Sequence, residues 1–414
     1  MKDLVEKKIF VYESCSGVAE LMGYLYAELI NGRENFSFEY DTSYLERYSA
    51  KAVCDPDLQF FAGRQYLYGG KKIFGLFADA CPDRWGRTLM QRREALLAHK
   101  EKRHPKKLLE SDYLLGVDDR SRIGSLRFKL EEEGDFLAED ELAIPPWVYL
   151  RKLEQASVAF ESGEDDVEQR WFDILVAPGS SLGGARPKAT VQDEKGELWI
   201  AKFPSKNDGY DIGAWEMVVH DLAEMSGLQV ASAKLEKFSD KGSTFLVKRF
   251  DREGEKRKHF ASAMTMLGKT DGDTETGYLD LVQFIITYGA KVQKDLTELW
   301  KRVAFSMLVG NTDDHLRNHG FLLQDNGWCL SPMFDVNPVP YGDNLSLRVN
   351  SVSSLIDKEL LLGTAGYYGL DKVAAEKYFD EMALLVKTNW RKLAKKYGIP
   401  RKSQEFMRPA FDMG

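Results

Sequence analysis

Cysteine is scarce: the 414 residues hold four, Cys15, Cys54, Cys81 and Cys329, widely scattered. None stands at a metal-ligand spacing, which excludes a zinc finger or ribbon, and free thiols in a reducing cytoplasm are the expectation. No uninterrupted apolar run is long enough to span a bilayer, so no membrane segment is expected. The first residues, Met1-Lys2-Asp3-Leu4-Val5-Glu6-Lys7-Lys8, bring acid before any apolar stretch, unlike a signal or transit peptide. Excess positive charge is also missing. With 57 Lys and Arg against 65 Asp and Glu, the net charge is −8 and the pI near 5.5. That balance argues against holding nucleic acid by bulk electrostatics. The local exception, Lys100-Glu101-Lys102-Arg103-His104-Pro105-Lys106-Lys107, reads first as a solvated loop, and as a phosphate-backbone contact only beside a partner that supplies specificity.

What is present, 43% hydrophobic and 29% charged residues, suits a soluble globular protein of two or three domains. Short aromatic and β-branched runs at Ile9–Tyr12, Gly23–Tyr26 and Phe36–Tyr40 predict strands. Pro82 and Asp83 suit the start of a helix running to about Ala98. Strand character returns over Ser121–Phe128, and Glu131-Glu132-Glu133-Gly134-Asp135 with Pro145-Pro146 reads as a boundary. Two amphipathic helical stretches lead from Trp147 to Ala177. After Ala263 the pattern is helical, at Tyr278–Tyr288, Lys294–Val309, Val352–Leu361 and Ala374–Tyr397.

The chemistry concentrates in Gly310-Asn311-Thr312-Asp313-Asp314-His315-Leu316-Arg317-Asn318-His319. Asp313 and Asn318 have the Asp-x-x-x-x-Asn spacing of a kinase catalytic loop, where the Asp takes the substrate hydroxyl proton and the Asn holds metal. An Asn326-Gly327 turn between two apolar runs predicts a hairpin. Pairing outward from that turn without a bulge sets Asp335 opposite Asn318, two oxygen ligands for Mg²⁺. His315 and His319, four apart with no third ligand, are not a zinc site and read as structural.

The loop Pro178-Gly179-Ser180-Ser181-Leu182-Gly183-Gly184-Ala185-Arg186-Pro187-Lys188 fails as a Walker phosphate loop. Ala185 and Arg186 stand where Lys and Ser or Thr belong, and a strand follows instead of a helix. A glycine-rich loop, a hairpin turning at Asp193–Gly196 and a strand ending at Lys202 is instead the order of a kinase N-lobe. Lys202 projects from the apolar face of Leu198 and Ile200, as a nucleotide-phosphate lysine would. Glu216 is its candidate partner, with a solvent-facing helix glutamate the rival reading. Lys188 is a second phosphate candidate whose face the turn length leaves undecided.

The residues resemble the HipA family of bacterial serine/threonine kinases that act as toxins in toxin–antitoxin pairs. The resemblance is carried, in family order, by Phe77–Arg87, Ser181–Lys188, Lys248-Arg249-Phe250-Asp251-Arg252, His259–Ala263, Asn311–Asn318 and Phe334-Asp335-Val336. It implies an α+β, bilobal protein-kinase-like fold. Residues 1–140 would form an N-terminal β-rich subdomain, 141–262 the kinase N-lobe, and 263–414 an all-helical C-terminal lobe holding the catalytic loop. It implies Asp313 as catalytic base, Asn318 and Asp335 as Mg²⁺ ligands, and Lys202, Lys188, Gly183, Gly184, Phe250 and Glu216 around ATP. It further implies autophosphorylation at Ser181, with Ser180 adjacent, a change that adds about −1.5 to −2 charge to a flexible loop. A HipB-like antitoxin would be the partner, DNA would be reached only through it, and the substrate would be a translation-related protein such as an aminoacyl-tRNA synthetase. The His-Arg-Asp and Asp-Phe-Gly triplets of eukaryotic-type kinases are absent, replaced by Asn311-Thr312-Asp313 and Phe334-Asp335-Val336. Two rivals remain: a small-molecule kinase, and a non-catalytic nucleotide-binding corepressor acting with an antitoxin on DNA.

Overall fold

The computed structural model describes residues 6–48, 54–137, 144–163, 175, 184, 186–254 and 256–412. The chain forms two compact units, Met1–Ser205 with Asp251–Ala261, and Lys206–Phe250 with Ser262–Gly414. Among the described residues no helix is long and apolar enough to cross a membrane.

The first unit begins with an antiparallel meander, β1 (Glu6–Glu13), β2 (Glu20–Ile30) and β3 (Arg33–Tyr40). Helix α1 (Thr42–Arg47), β4 (Gln65–Tyr66), α2 (Gly75–Ala80), α3 (Arg84–Lys100), α4 (Glu110–Leu115) and β5 (Arg127–Lys129) follow, and the sheet order is β4-β3-β2-β1-β5. Alternation places Ile9, Val11, Leu25 and Phe38 on one face, where Phe74, Phe77 and Phe128 complete a core shut off from solvent. The strand expected over 121–128 is only the short β5. Residues 118–126 instead turn around a buried ionic cluster. Asp119 accepts from Arg127 at 2.6 Å and from Arg257 at 2.7 Å, while Arg122 donates to the carbonyls of Ala80, Leu114 and Val117. Burial pushes the Asp119 carboxyl up, but the facing guanidinium groups outweigh it and hold the pKa below the usual value. Asp251, one of the family-like residues, caps the cluster by accepting from Gly124 N and Arg252 Nη1.

His259 is buried, its Nδ1 2.8 Å from Ser125 Oγ, and burial pushes its pKa down to about 4. The sign of the pH dependence follows. Between pH 6.5 and 4 the unfolded chain binds the His259 proton and the folded chain does not, so stability is full above pH 6.5 and falls as pH drops through that window. The loss amounts to about 3 kcal/mol. Denaturant midpoints measured from pH 7 to pH 4 should fall more steeply for the wild type than for His259→Asn, and equal slopes would refute the assignment.

Helix α5 (Leu150–Ser162) leads towards the glycine-rich loop, and the second helical stretch expected before Ala177 lies outside the described residues apart from Leu175. The hairpin β6 (Lys188–Gln192) and β7 (Leu198–Lys202) follows, its turn where the sequence placed it.

The second unit holds α6 (Ile212–Met225) and the hairpin β8 (Ala233–Ser239) and β9 (Gly242–Lys248). Asp211 caps α6 through Ala214 N and ties it to β9 through Ser243 Oγ at 2.7 Å. In sequence there follow the short strands β10 (Arg252–Glu253), β11 (Lys256–Arg257) and β12 (Phe260–Ser262), which up to Ala261 belong to the first unit, and then, in the second, α7 (Ala263–Met266), α8 (Tyr278–Tyr288), α9 (Val292–Leu308) and the hairpin β13 (Gly320–Gln324) and β14 (Gly327–Leu330). The last helices are α10 (Lys358–Thr364), α11 (Lys372–Lys396) and α12 (Arg401–Met407). Trp215 of α6, Trp390 of α11 and Phe411 stack into an aromatic core, the last two with ring centres 4.8 Å apart. The helix expected over 352–361 starts later, because Asp357 caps it at Leu360 N and the preceding chain bridges Leu355 to Asn344.

Candidate active site

The catalytic-loop candidate leaves α9 at Gly310, whose φ of 62° and 2.9 Å clearance to Val339 O at the Cβ position admit no side chain without strain. From there the loop is pinned at each step. Asn311 Nδ2 donates to Ser306 Oγ, Asn337 N donates to Asn311 Oδ1 at 3.3 Å, and Ser346 Oγ donates to Thr312 O at 2.8 Å. Asn311 therefore joins the loop to the segment two residues past Asp335.

The adjacent carboxylates have opposite surroundings. Asp313 is exposed, whereas Asp314 is buried. Tyr278 OH donates to Asp314 Oδ2 at 2.6 Å, and His319 Nε2 lies 3.0 Å from Oδ1. Burial pushes the Asp314 carboxyl up, but the charge and hydrogen bond of His319 with the Tyr278 hydroxyl outweigh it and hold the pKa below the ordinary value. Asp314 thus anchors the loop and Asp313 faces solvent. The single turn Leu316–Asn318 then brings Asn318 back so that its Nδ2 donates to Asp313 O at 3.0 Å. With the amide nitrogen so engaged, Oδ1 is the atom left to ligate.

The expected cross-strand pairing of Asn318 with Asp335 is not formed. The ladder runs Gln324↔Gly327 to Phe321↔Leu330, so Asp325 and Asn326 form the turn and Gly327 opens the return strand. Asn326-Gly327 does not supply a type I′ turn. Gly327 sits at φ 130° because the chain passes so closely that a Cβ would meet Tyr288 O at 2.5 Å. The register moves accordingly, Asn318 lies in its own turn before the ladder, and Met333 instead bridges Val230.

Asp335 nonetheless has the most unusual backbone of the candidates, with φ at 58°. A left-handed non-glycine residue costs about 1–3 kcal/mol and persists where neighbours impose it, commonly at functional sites. Here Met333 N bonds Gln229 O at 2.7 Å, and Phe334 packs against Phe250 with ring centres 5.7 Å apart. The buried Asn337 Oδ1 has no hydrogen-bond partner among the described residues. The Asn318 amide oxygen, the Asp335 carboxylate and this orphaned oxygen are each hard oxygen donors of the kind Mg²⁺ accepts, an ion that takes few protein ligands and fills its shell with water and phosphate. Among the described residues no three or more His, Cys, Asp or Glu are grouped to hold a metal.

In the first unit the hairpin register decides the face of Lys188, which pairs directly with Lys202. Directly opposed residues project to the same face, so both phosphate candidates lie together, with 2% and 9% of their surfaces exposed. Lys188 Nζ is 2.8 Å from Asp83 Oδ2. Sequence reasoning read Asp83 only as a helix start; its place within the family-like Phe77–Arg87 run was the available signal. Gly184 has φ 105°. Gly183, Ser180 and Ser181 lie outside the described residues. Glu216, on α6, is 4% exposed, which removes the solvent-facing reading. Phe250, the expected adenine-edge residue, follows β9 and packs against Phe334.

Residues 180–390, half of the chain, match the HipA-like C-terminal domain family. The chain belongs to the HipA-like family. A Sinorhizobium fredii protein named "Putative kinase Y4mE" is 27% identical over 209 residues, 43% of this chain and 48% of that protein. A similarly named Haemophilus influenzae protein is 29% identical over 187 residues, 39% of this chain and 54% of its own length. The match thus spans about half the length of these curated relatives. Among solved structures, HipA of Shewanella oneidensis in complex with HipB and operator DNA superposes with a TM-score of 0.67 at 16% identity, covering 98% of this chain and 95% of that one. The fold is therefore the α+β kinase-like fold of HipA.

Proposed function

We propose that this chain is an ATP-dependent protein kinase that transfers the γ-phosphoryl group to a serine or threonine hydroxyl. The observation that carries the reading is the built catalytic loop: an exposed Asp313 whose main-chain carbonyl is gripped by Asn318, on a loop anchored by buried Asp314. The Asp313 carboxylate would orient the attacking hydroxyl and accept its proton. Asn318 Oδ1 and Asp335 would hold Mg²⁺, which when bound supplies charge neutralisation for the phosphate oxygens. Lys202 and Lys188 would contact the nucleotide phosphates, Glu216 would support Lys202, Gly183 and Gly184 would let the loop close over them, and Phe250 would meet the adenine edge. Catalysis would be mostly positioning and electrostatics.

Family membership supports three further parts of the reading: a translation-related protein target such as an aminoacyl-tRNA synthetase, autophosphorylation at Ser181, and a HipB-like antitoxin through which DNA is reached. The test is transfer of γ-labelled phosphate in a lysate. Label in discrete proteins is the expected result; label only in small metabolites would favour the small-molecule kinase, and no label with ATP bound would favour the corepressor.

A further inference from the structure

Residues 83–86 hold the base of the glycine-rich loop at three points. Asp83 Oδ2 pairs with Lys188 Nζ at 2.8 Å, Trp85 N donates to Gly184 O at 3.4 Å, and Trp85 Nε1 donates to Lys188 O at 3.2 Å. Asp83 and Lys188 are buried together, their side chains 3% and 2% exposed. A carboxylate and an ammonium taken out of water are costly unless paired. Lys188 is also crowded by its own kind, since Lys202 stands directly opposite it on β7, and facing like charges repel. A lysine is a point charge on a flexible four-carbon stem, so what fixes its head decides where its charge acts.

We propose that Asp83 is a positioning residue for the nucleotide phosphates: its carboxylate holds the Lys188 ammonium beside Lys202, and so prepares two cations on one face for a polyphosphate. The inference rests on the kinase reading, in which Lys188 is a phosphate contact. It assigns the N-terminal unit's Pro-Asp-Arg-Trp turn a part in binding nucleotide, through a residue that itself touches none. The same side chain also caps α3, its Oδ1 accepting from Gly86 N at 2.8 Å.

That second role shapes the experiment. Asparagine caps helices as well as aspartate does, so D83N removes the charge and keeps the cap. Mg²⁺-ATP affinity would be measured by calorimetry, and KM and kcat by phosphate transfer, for the full-length wild type, D83N, K188M and the double variant. D83N should weaken ATP binding about tenfold or more, the loss expected of one charge-assisted contact, and raise KM while kcat at saturating ATP stays near the wild-type value. In the double variant D83N should add nothing to the loss from K188M. Unchanged or tighter ATP binding by D83N, or losses that add in the double variant, would overturn the proposal. Should D83N melt early because the Lys188 ammonium is left stranded, the comparison of K188M with the double variant, which buries no unpaired charge of the pair, carries the test. A wild type that neither binds ATP nor transfers phosphate would instead refute the kinase reading, and this inference with it.

Discussion

Asp313→Asn should lower phosphoryl transfer by about 10²–10⁴-fold, the range for loss of a positioned general base, and leave the melting temperature unchanged. The two halves of that expectation come from different atoms of one residue. Its carboxylate is exposed, so the fold gains little from it. Its main-chain carbonyl accepts from Asn318 Nδ2 at 3.0 Å, a bond that asparagine keeps. Asp314→Asn should behave in the opposite way. That carboxylate is buried, accepts the Tyr278 hydroxyl and lies beside His319, so its loss loosens the loop and costs stability along with activity. Single-turnover transfer and melting curves of both variants decide the matter. An Asp313→Asn protein that transfers phosphate at the wild-type rate would move the base to another residue.

Glu298→Ala should cost about 3–5 kcal/mol of stability, the price of stranding a buried cation. Glu298 Oε1 pairs with Arg302 Nε at 2.9 Å within α9, and Arg302 is only 2% exposed. The same oxygen accepts from Gln229 N at 3.0 Å, while Arg302 Nη2 donates to Ser331 O at 2.8 Å. Gln229 O in turn receives Met333 N, so the pair stiffens the segment that holds Asp335 in its left-handed conformation. Replacing both partners by apolar residues, Glu298→Leu with Arg302→Met, should recover most of the loss, because no charge is then left buried. Denaturant midpoints measure both effects, and a single variant within about 1 kcal/mol of the wild type would contradict the first.

Much of the fold was legible because its signals are local. The periodicity of Tyr278–Tyr288 matches α8 residue for residue, and the Pro82-Asp83 start puts α3 within one residue of its observed beginning. The catalytic-loop candidates were legible for the same reason, since Asp313 and Asn318 are separated by one short turn. What was not legible depends on chain brought from far away. The Asn326-Gly327 dipeptide is a strong hairpin signal, but the chain at Tyr288–Ala290 claims Gly327 for close approach and shifts the register. The pairing of Asp83 with Lys188 joins residues 105 apart, and nothing local announces it. Likewise Asp314 could be told from Asp313 only by spacing, until Tyr278 from another helix supplied the physical difference.

The most direct test of phosphoryl transfer from ATP with Asp313 as the base is the intact mass of the purified chain after incubation with Mg²⁺-ATP, wild type beside Asp313→Asn, with peptide mapping of any added phosphate. A phosphate gained by the wild type alone and mapped to Ser181 is the expected result. No gain in either, with ATP bound by both and no labelled protein in a lysate, would contradict it and leave a nucleotide-binding corepressor in its place.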